Sequence, residues 1–371
     1  MKIIKVETLR SPCRNYCWIL ITTDSELVGL GETYHRADPA EVIIHEFARS
    51  YLLGSNPEDR EKIWDQMYRR ASYHGMMGAE MRAISGIDMA LWDLMGKALE
   101  RPLYRILGGK TRERVPVYFS GIYDQIEMNS EAVQDWSRQC VDAGWTACKT
   151  ARFFRNLDSG GAEGYLSVAN VEEGARRFEW VREAVGDTLE VGLDLHCRFD
   201  VPAAVRIGEA VKPYNPYFIE EPIQPHNVSA LREVRERTGV PIAAGERIFT
   251  RWGFQQILEQ RAADILNPDL AWTGGITEMK KIADYAQTHY IPMAPHNYGP
   301  LNCIALTHFM AVIPNTRHLE FTAYHYPTWN TYIDEPIEVT EGHLPLRERP
   351  GLGCELSAAM LELPRVVIEA E

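Results

Sequence analysis

The sequence predicts an α/β fold: a (β/α)8-type barrel preceded by an α+β domain, with a C-terminal tail that packs back on that domain. From about Val117 onward eight short apolar runs alternate with helical stretches: VPVYFSG, AGWTACKTA, LEVGLDLHC, PYFIEEP, PIAAGER, ADILNPDL, IPMAPHN and RHLEFT. Eight strands with intervening helices are what such a barrel requires. The polar residues that end the later runs recur at intervals of one βα unit. Asp194, Glu220 and Glu246 are each 26 residues apart, and Asp269, His296 and Glu320 follow at 23, 27 and 24. The chain before Val117 instead places its strands first and its helices after, the grammar of an α+β domain.

In order along the chain, IIKVETLRS and CWILITTDSELVGLGETY alternate apolar with polar residues around a Gly-rich bend, which predicts a three-stranded antiparallel sheet. Helical patterns follow over 40–53, 57–70 and 79–99, the last with Met81, Ile84, Leu91 and Met95 on one face. The expected boundaries are 1–115 for the α+β domain, 116–335 for the barrel and 336–371 for the tail, which contains the PGLGCEL turn at 350–356.

With 371 residues, 45% hydrophobic and 25% charged, the chain can bury a sizeable core and has none of the bias of disordered, collagen-like or disulfide-rich sequences. A net charge of −13 repels phosphate backbones unless one face is locally basic, so nucleic acid is not an expected partner. No stretch approaches the roughly 20 apolar residues of a membrane span, and a cytoplasmic location without a membrane partner is expected. Seven cysteines, at 13, 17, 140, 148, 197, 303 and 354, are odd in number and lack metal-type pairing, so free buried thiols are expected.

Polar residues at the same point of successive units land on one rim of a barrel, and the active site of this fold lies on the rim at the strand C-terminal ends. Asp194, Glu220 and Glu246 thereby present three carboxylates to one point. Unpaired, they would repel and some would take up protons. A hard divalent cation such as Mg2+ resolves this, because it takes oxygen ligands and keeps positions open for water or substrate oxygens. One such acid is more often a salt-bridged surface group, whereas three at one spacing point to a metal site. Glu221 should face away from Glu220 on its strand, so the two are not a glycosidase couple. His196 lies two residues beyond Asp194 and shares its direction if the strand persists. His296 ends the seventh run and Asp269 the sixth, neighbouring positions that suit a carboxylate–imidazole hydrogen bond. Lys149 ends the second run and could neutralise anionic substrate oxygens; a solvated surface lysine is the alternative.

These residues resemble the enolase superfamily, in its mandelate racemase-like branch, and within it the acid-sugar dehydratases of galactonate type. The resemblance covers nearly the whole chain. It rests on MRAISGIDMALWDLMGKALERPLYRILGG at 81–109, GLDLHCRFD at 192–200, FIEEPIQP at 218–225, IAAGER at 242–247, ADILNPDLAWTGGITEMKKIA at 263–283 and APHNYGPL at 294–301. It implies that Asp194, Glu220 and Glu246 ligate Mg2+ and that His296 with Asp269 is the general-base dyad. It further implies that His196 is the general acid and that Glu320 hydrogen-bonds a carboxylate oxygen of the substrate. The N-terminal domain resembles the capping domain, whose two mobile loops, here near 11–16 and 72–78, close over the distal end of the substrate.

One departure bears on the reaction. Many members of the branch carry Lys-x-Lys on the second strand, the second lysine being a base on the face opposite the histidine. Here the segment is Lys149-Thr150-Ala151, so a two-base racemase is not expected and a one-face β-elimination is. The implied chemistry is abstraction of the proton α to a carboxylate by His296. Metal, Lys149 and a protonated Glu320 would stabilise the enediolate, and His196 would protonate the departing β-hydroxyl. The expected function is Mg2+-dependent dehydration of a small-molecule sugar acid, an aldonate such as galactonate or gluconate, to a 2-keto-3-deoxy acid by a homo-oligomer. A cycloisomerase or epimerase using the same enediolate is the alternative among enzymes. A non-catalytic sugar-acid binding protein is the alternative outside them, and it would have no use for two histidines flanking the metal. Loop residues that read distal hydroxyls follow no general code, so the sequence does not choose the substrate.

Overall fold

The N-terminal strands pair as their alternation predicts. β1 (Ile3–Arg10), β2 (Tyr16–Thr23) and β3 (Val28–Tyr34) are antiparallel in the computed structural model, which describes residues 1–370 except 14, 76, 156 and 158–163. The glycines read as a bend, Gly29 and Gly31, lie instead inside β3. A Cβ on them would sit 2.2 and 2.1 Å from the carbonyl oxygens of Ala90 and Gly86, so their absence of a side chain lets a helix backbone lie directly on the strand. The turn is at 24–27.

The helices are α1 (Ala37–Phe47), prolonged by one wider turn over Ala48–Leu52, α2 (Arg60–Ala71) and α3 (Ala79–Ala98). β2 is apolar on both faces because both are covered. Cys17, Ile19 and Ile21 pack with Ile44, Phe47, Ile84 and Ile87, while Tyr16, Trp18 and Leu20 join the larger core that includes the barrel. α3 was expected to bury one face. It buries fourteen of its 20 residues, as a helix held between the N-terminal sheet and the barrel must. Its Asp88 reaches the barrel side, accepting from Thr277 N–H (2.9 Å) and Oγ1 (2.6 Å).

Seven of the eight expected runs contain parallel strands. β4 (Arg114–Ser120), β5 (Ala147–Thr150), β6 (Glu190–Asp194), β7 (Phe218–Glu220), β8 (Ile242–Ala244), β9 (Ile265–Leu266) and β10 (Leu319–Phe321) form a curled sheet in the order β10-β4-β5-β6-β7-β8-β9. The run at 291–297 is not a continuous strand. It makes single parallel bridges, Met293 to Leu266 and Thr316 and His296 to Asp269. Pro292 and Pro295 account for this, since each lacks the N–H that a ladder requires. The tail adds β11 (His343–Pro345) antiparallel beside β4 before β12 (Arg365–Glu369) becomes a fourth strand of the N-terminal sheet, next to β1.

Tyr118, Ala147, Phe218, Ala243, Ile265 and Ala294 form one buried cluster that fills the inside of the curled sheet. Inward side chains recur every second residue. The layer two residues above, counting from Gly192 in β6 as well, therefore holds Ser120, Lys149, Asp194, Glu220 and His296. All seven cysteines are unpaired; six are buried and Cys13 is exposed, contrary to expectation for that one. Among the described residues no helix is long and apolar enough to cross a membrane.

The helix Pro300–Val312 carries a buried titratable group. His308 accepts the Tyr104 N–H at Nδ1 (3.4 Å) and donates from Nε2 to the Leu352 carbonyl (3.0 Å). Burial pushes its pKa down to about 4, outweighing the bond to Leu352. The folded value lies below the unfolded one of about 6.5, so this contribution to stability is complete above about pH 6.5 and is lost as pH falls toward 4. Between about pH 7.5 and about pH 5 the unfolding free energy should drop about 2 kcal/mol more in the wild type than in His308→Gln, whose amide keeps a donor. The difference is the readout because Asp88, raised to about 7 by burial, acts in the opposite sense. Equal slopes in urea titrations of the two proteins would remove His308 as the cause.

Candidate active site

The layer above the barrel filling is where hydrocarbon gives way to charge. Asp194 ends β6 and Glu220 ends β7, in register with each other. Glu246 lies two residues past the end of β8 and reaches the same place because Gly245 turns the chain at φ 156°. A Cβ at Gly245 would stand 2.9 Å from the backbone of Asn267 and Pro268, so no other residue fits. Carboxylate oxygens of Asp194, Glu220 and Glu246 all lie within 4.8 Å of one another, and all three residues are buried.

Lys149 is inside this cluster, not on the surface. Its Nζ lies 2.9 Å from Glu220, 2.9 Å from Glu320 and 3.4 Å from Asp194. Burial alone would lower its pKa, but Glu220, Glu320 and Asp194 hold it well above the ordinary lysine value. One ammonium does not balance the acids. Burial, reinforced by Asp194, Glu320 and Glu246, raises the Glu220 carboxyl well above its usual range despite Lys149. Glu246 is pushed up to about 7, mainly by burial. An all-oxygen, buried donor set with surplus negative charge fits a hard divalent cation, which would take the place of those protons.

His296 and Asp269 meet as their positions predict. His296 Nδ1 lies 2.6 Å from Asp269 Oδ2, while Asp269 Oδ1 accepts the Ala271 N–H at 2.8 Å. A carboxylate at Nδ1 places the ring's proton there and turns Nε2 toward the cluster, 3.6 Å from Glu246. Burial would lower the ring's pKa, but Glu246, Glu320 and Asp269 raise it to about 10.

His196 reaches the rim by a different route from the one expected. β6 stops at Asp194, and His196 and Cys197 take left-handed backbone conformations, φ 48° and 56°. Strand alternation therefore does not orient it. Asp194 does: its Oδ1 accepts the His196 N–H (2.8 Å) and its Oδ2 lies 3.1 Å from Nε2. The ring is 39% exposed, and burial of the remainder lowers its pKa against the opposing charge of Asp194.

The surroundings of Glu320 favour its ionised form, whereas a protonated acid was expected. Its Oε1 accepts from Ser120 Oγ (2.5 Å) and pairs with Lys149. Burial raises its pKa, but Lys149, His296 and Ser120 outweigh burial and bring it to about 2. Its Oε2 is buried without a hydrogen-bond partner and is an acceptor open to a ligand. Glu221 also departs from expectation. β7 ends at Glu220, so alternation no longer applies; Glu221 turns at φ 43° and pairs with Arg247, which also bonds Glu246 at 2.7 Å.

Ser120, Asn267, Arg247 and Trp272 join this site without having been expected from the sequence. Ser120 stands at the rim end of the first run, where the βα spacing would have placed it. Asn267, two residues above Ile265, is buried with neither amide atom hydrogen-bonded. The Trp272 ring lies 5.0 Å from that of His296. Of the two loops expected to close over a substrate, 11–16 is tied to residues after β10, with Trp329 Nε1 donating to the Tyr16 hydroxyl at 2.9 Å. Arg14 in that loop and Met76 in 72–78 lie outside the described residues.

Residues 6–108 match the family model of the mandelate racemase / muconate lactonizing enzyme N-terminal domain, and residues 132–360 that of the enolase C-terminal domain-like family. The chain is 34% identical over 357 residues to a D-xylonate dehydratase of Haloferax volcanii, covering 94% of this chain and 85% of that protein. It is 34% identical over a 381-residue alignment to a D-galactonate dehydratase of Pectobacterium atrosepticum, covering 97% and 94%. A solved structure of an enolase superfamily member from Salmonella Typhimurium superposes with a TM-score of 0.92 at 28% identity, over 99% of this chain and 100% of the other. Two family models that together span nearly the whole chain, with an acidic triad and histidines on one rim, lead to one conclusion: the chain belongs to the mandelate racemase / muconate lactonizing enzyme family of the enolase superfamily.

Proposed function

We propose that this protein is a hydro-lyase that dehydrates a sugar acid, an aldonate such as galactonate or gluconate, to a 2-keto-3-deoxy acid with Mg2+. The observation that carries the reading is the pair of histidines flanking the acidic triad, His296 beside Glu246 and His196 on Asp194. The relatives named as D-xylonate and D-galactonate dehydratases support it. In this reading residues 1–115 cap a complete (β/α)8 barrel whose seventh stave is the irregular run at 291–297.

Asp194, Glu220 and Glu246 would hold Mg2+, which would draw electron density from the substrate carboxylate as the α-proton leaves. Glu246, Glu320 and Asp269 favour the protonated ring of His296, and a cation held by the triad would offset that influence and leave Nε2 free to act as the base. Nε2 then takes the α-proton, and Asp269 keeps Nδ1–H in place and supports the imidazolium that forms. Lys149 faces the charge that develops on the carboxylate. His196, as the imidazolium that Asp194 favours against burial, would donate its proton to the β-hydroxyl as it departs, since hydroxide is a poor leaving group. The resulting enol tautomerises to the keto acid.

The test is incubation with a panel of aldonic and aldaric acids and Mg2+, followed by NMR. A 2-keto-3-deoxy product supports the reading; lactones, epimers or unchanged acids from every member of the panel overturn it. The same spectra check a stereochemical consequence of Ala151. With a methyl where a second base would stand, the enzyme should not interconvert the two configurations at the α-carbon, and rapid α-epimerisation would reveal a base elsewhere.

A further inference from the structure

Tyr34 ends β3 in the N-terminal sheet, yet its hydroxyl lies 2.5 Å from Asp269 Oδ2, the same oxygen that holds His296 Nδ1. The ring is completely buried. The direction of that hydrogen bond follows from its neighbours. The Gly299 N–H donates to Asn297 Oδ1 (3.3 Å), which settles which end of the Asn297 amide is oxygen. Asn302 Nδ2 faces that oxygen at 3.1 Å and the Tyr34 oxygen at 3.0 Å, so it donates to both. The Tyr298 N–H donates to the Tyr34 oxygen as well, at 3.1 Å. A phenol oxygen has two acceptor positions and one proton. Both acceptor positions are taken, so the proton points to Asp269.

We propose that Tyr34 is a positioning residue for the His296–Asp269 pair: it donates to Asp269 Oδ2, locks that carboxylate against the imidazole and sets how much charge the shared oxygen lends to the ring. The inference rests on the reading of His296 as the base. The rest of β3 makes the attachment stiff. Glu32, two residues earlier and on the same face, accepts the N–H groups of Leu301 (3.1 Å) and Asn302 (3.0 Å) in the first turn of the helix after His296, whose N-cap, Gly299, has no side chain to do so. One strand of the N-terminal sheet thus holds both the carboxylate behind the base and the helix in front of it, and the base is oriented only when that sheet is seated on the barrel.

Tyr34→Phe keeps the ring and removes the donor. We expect kcat to fall about 10- to 100-fold with KM changed less than about threefold, and α-proton exchange with D2O to fall in parallel, a part of the ~10²–10⁴-fold typical of a positioned base. The deuterium isotope effect with α-deuterated substrate should rise, because proton removal becomes slower, whereas a loss of folded enzyme lowers kcat without changing it. In the metal-free protein the 1H–15N signal of His296 Nδ1, assigned by its loss in His296→Asn, should shift. Combined with Asp269→Asn, Tyr34→Phe should cost less than about twofold more, as expected for residues acting through one contact. Because Tyr34→Phe also strands the Tyr298 N–H and the Asn302 amide, 3-fluorotyrosine at position 34 is the second variant. It keeps the shape and makes a stronger donor, and a fall in kcat of about two- to fivefold at unchanged KM is expected where His296 is neutral. Normal exchange in Asp269→Asn would sink the dyad itself. If Asp269→Asn is impaired while both Tyr34 variants keep wild-type kcat and isotope effect, only the role of Tyr34 is overturned.

Discussion

His296→Asn should abolish both halves of the reaction. The variant keeps a polar side chain of similar reach at Asp269 but has no atom that can take a proton at the position of Nε2, so dehydration and exchange of the α-proton with D2O should both fall by at least ~10²–10⁴-fold. His196→Asn should separate them. It removes only the group placed to protonate the leaving hydroxyl, so the α-proton can still be taken and returned while water is not expelled. Recovered substrate should then carry deuterium at the α-carbon with no keto product, provided His296 exchanges its proton with solvent before giving it back. The geometry supports a split of this kind. His296 is buried against Asp269 and oriented by it, whereas His196 is partly exposed and held by Asp194. Normal dehydration by His196→Asn would move the leaving-group role to another residue. Loss of exchange in His196→Asn, with exchange intact in His296→Asn, would reverse the two assignments and the face of approach.

Removal of divalent cations should bring activity to background, and Mg2+ should restore it. The three carboxylates are buried within 4.8 Å of one another, and Lys149 is the only ammonium among them in the described residues. That arrangement leaves negative charge uncompensated, so a dication is strongly favoured there. Glu246→Gln replaces one charged ligand by a neutral amide of the same size. Its Mg2+ affinity, measured by calorimetry, should drop by at least about 10–100-fold, the range already seen for losing a group that only supports a ligand. Partial rescue by Mn2+ is compatible with the assignment, because both ions accept oxygen donors. Full turnover after exhaustive treatment with EDTA, or unchanged affinity in Glu246→Gln, would dismiss the triad as the metal site.

Local patterning was enough to read much of this. Strand alternation placed β1 to β3, helical periodicity placed α1 to α3, and the recurrence of Asp194, Glu220, Glu246, Asp269, His296 and Glu320 at about one βα unit brought all six to one rim. These readings succeed because each depends on residues within one turn, strand or repeat of one another, where backbone geometry alone dictates direction.

What packing decided lies beyond that range. The run at 291–297 looks like a strand, but Pro292 and Pro295 reduce it to single bridges, and backbone bonds to 266–269 on one side and 315–320 on the other hold it in place. His196 and Glu221 follow strand ends, where a turn of a few residues replaces alternation and the nearest charged group sets the side chain's direction. The ionisation of Glu320 depends on Lys149, 171 residues earlier in the chain, and on Ser120, 200 residues away. Tyr34 and Asp269 are 235 residues apart, and no period in the sequence links them. By itself the sequence determined which residues face the rim; which of them share a proton or a charge was decided only when the N-terminal sheet and the barrel met. Electrostatic and hydrogen-bond partners are chosen by distance in space, and burial multiplies the effect of each choice.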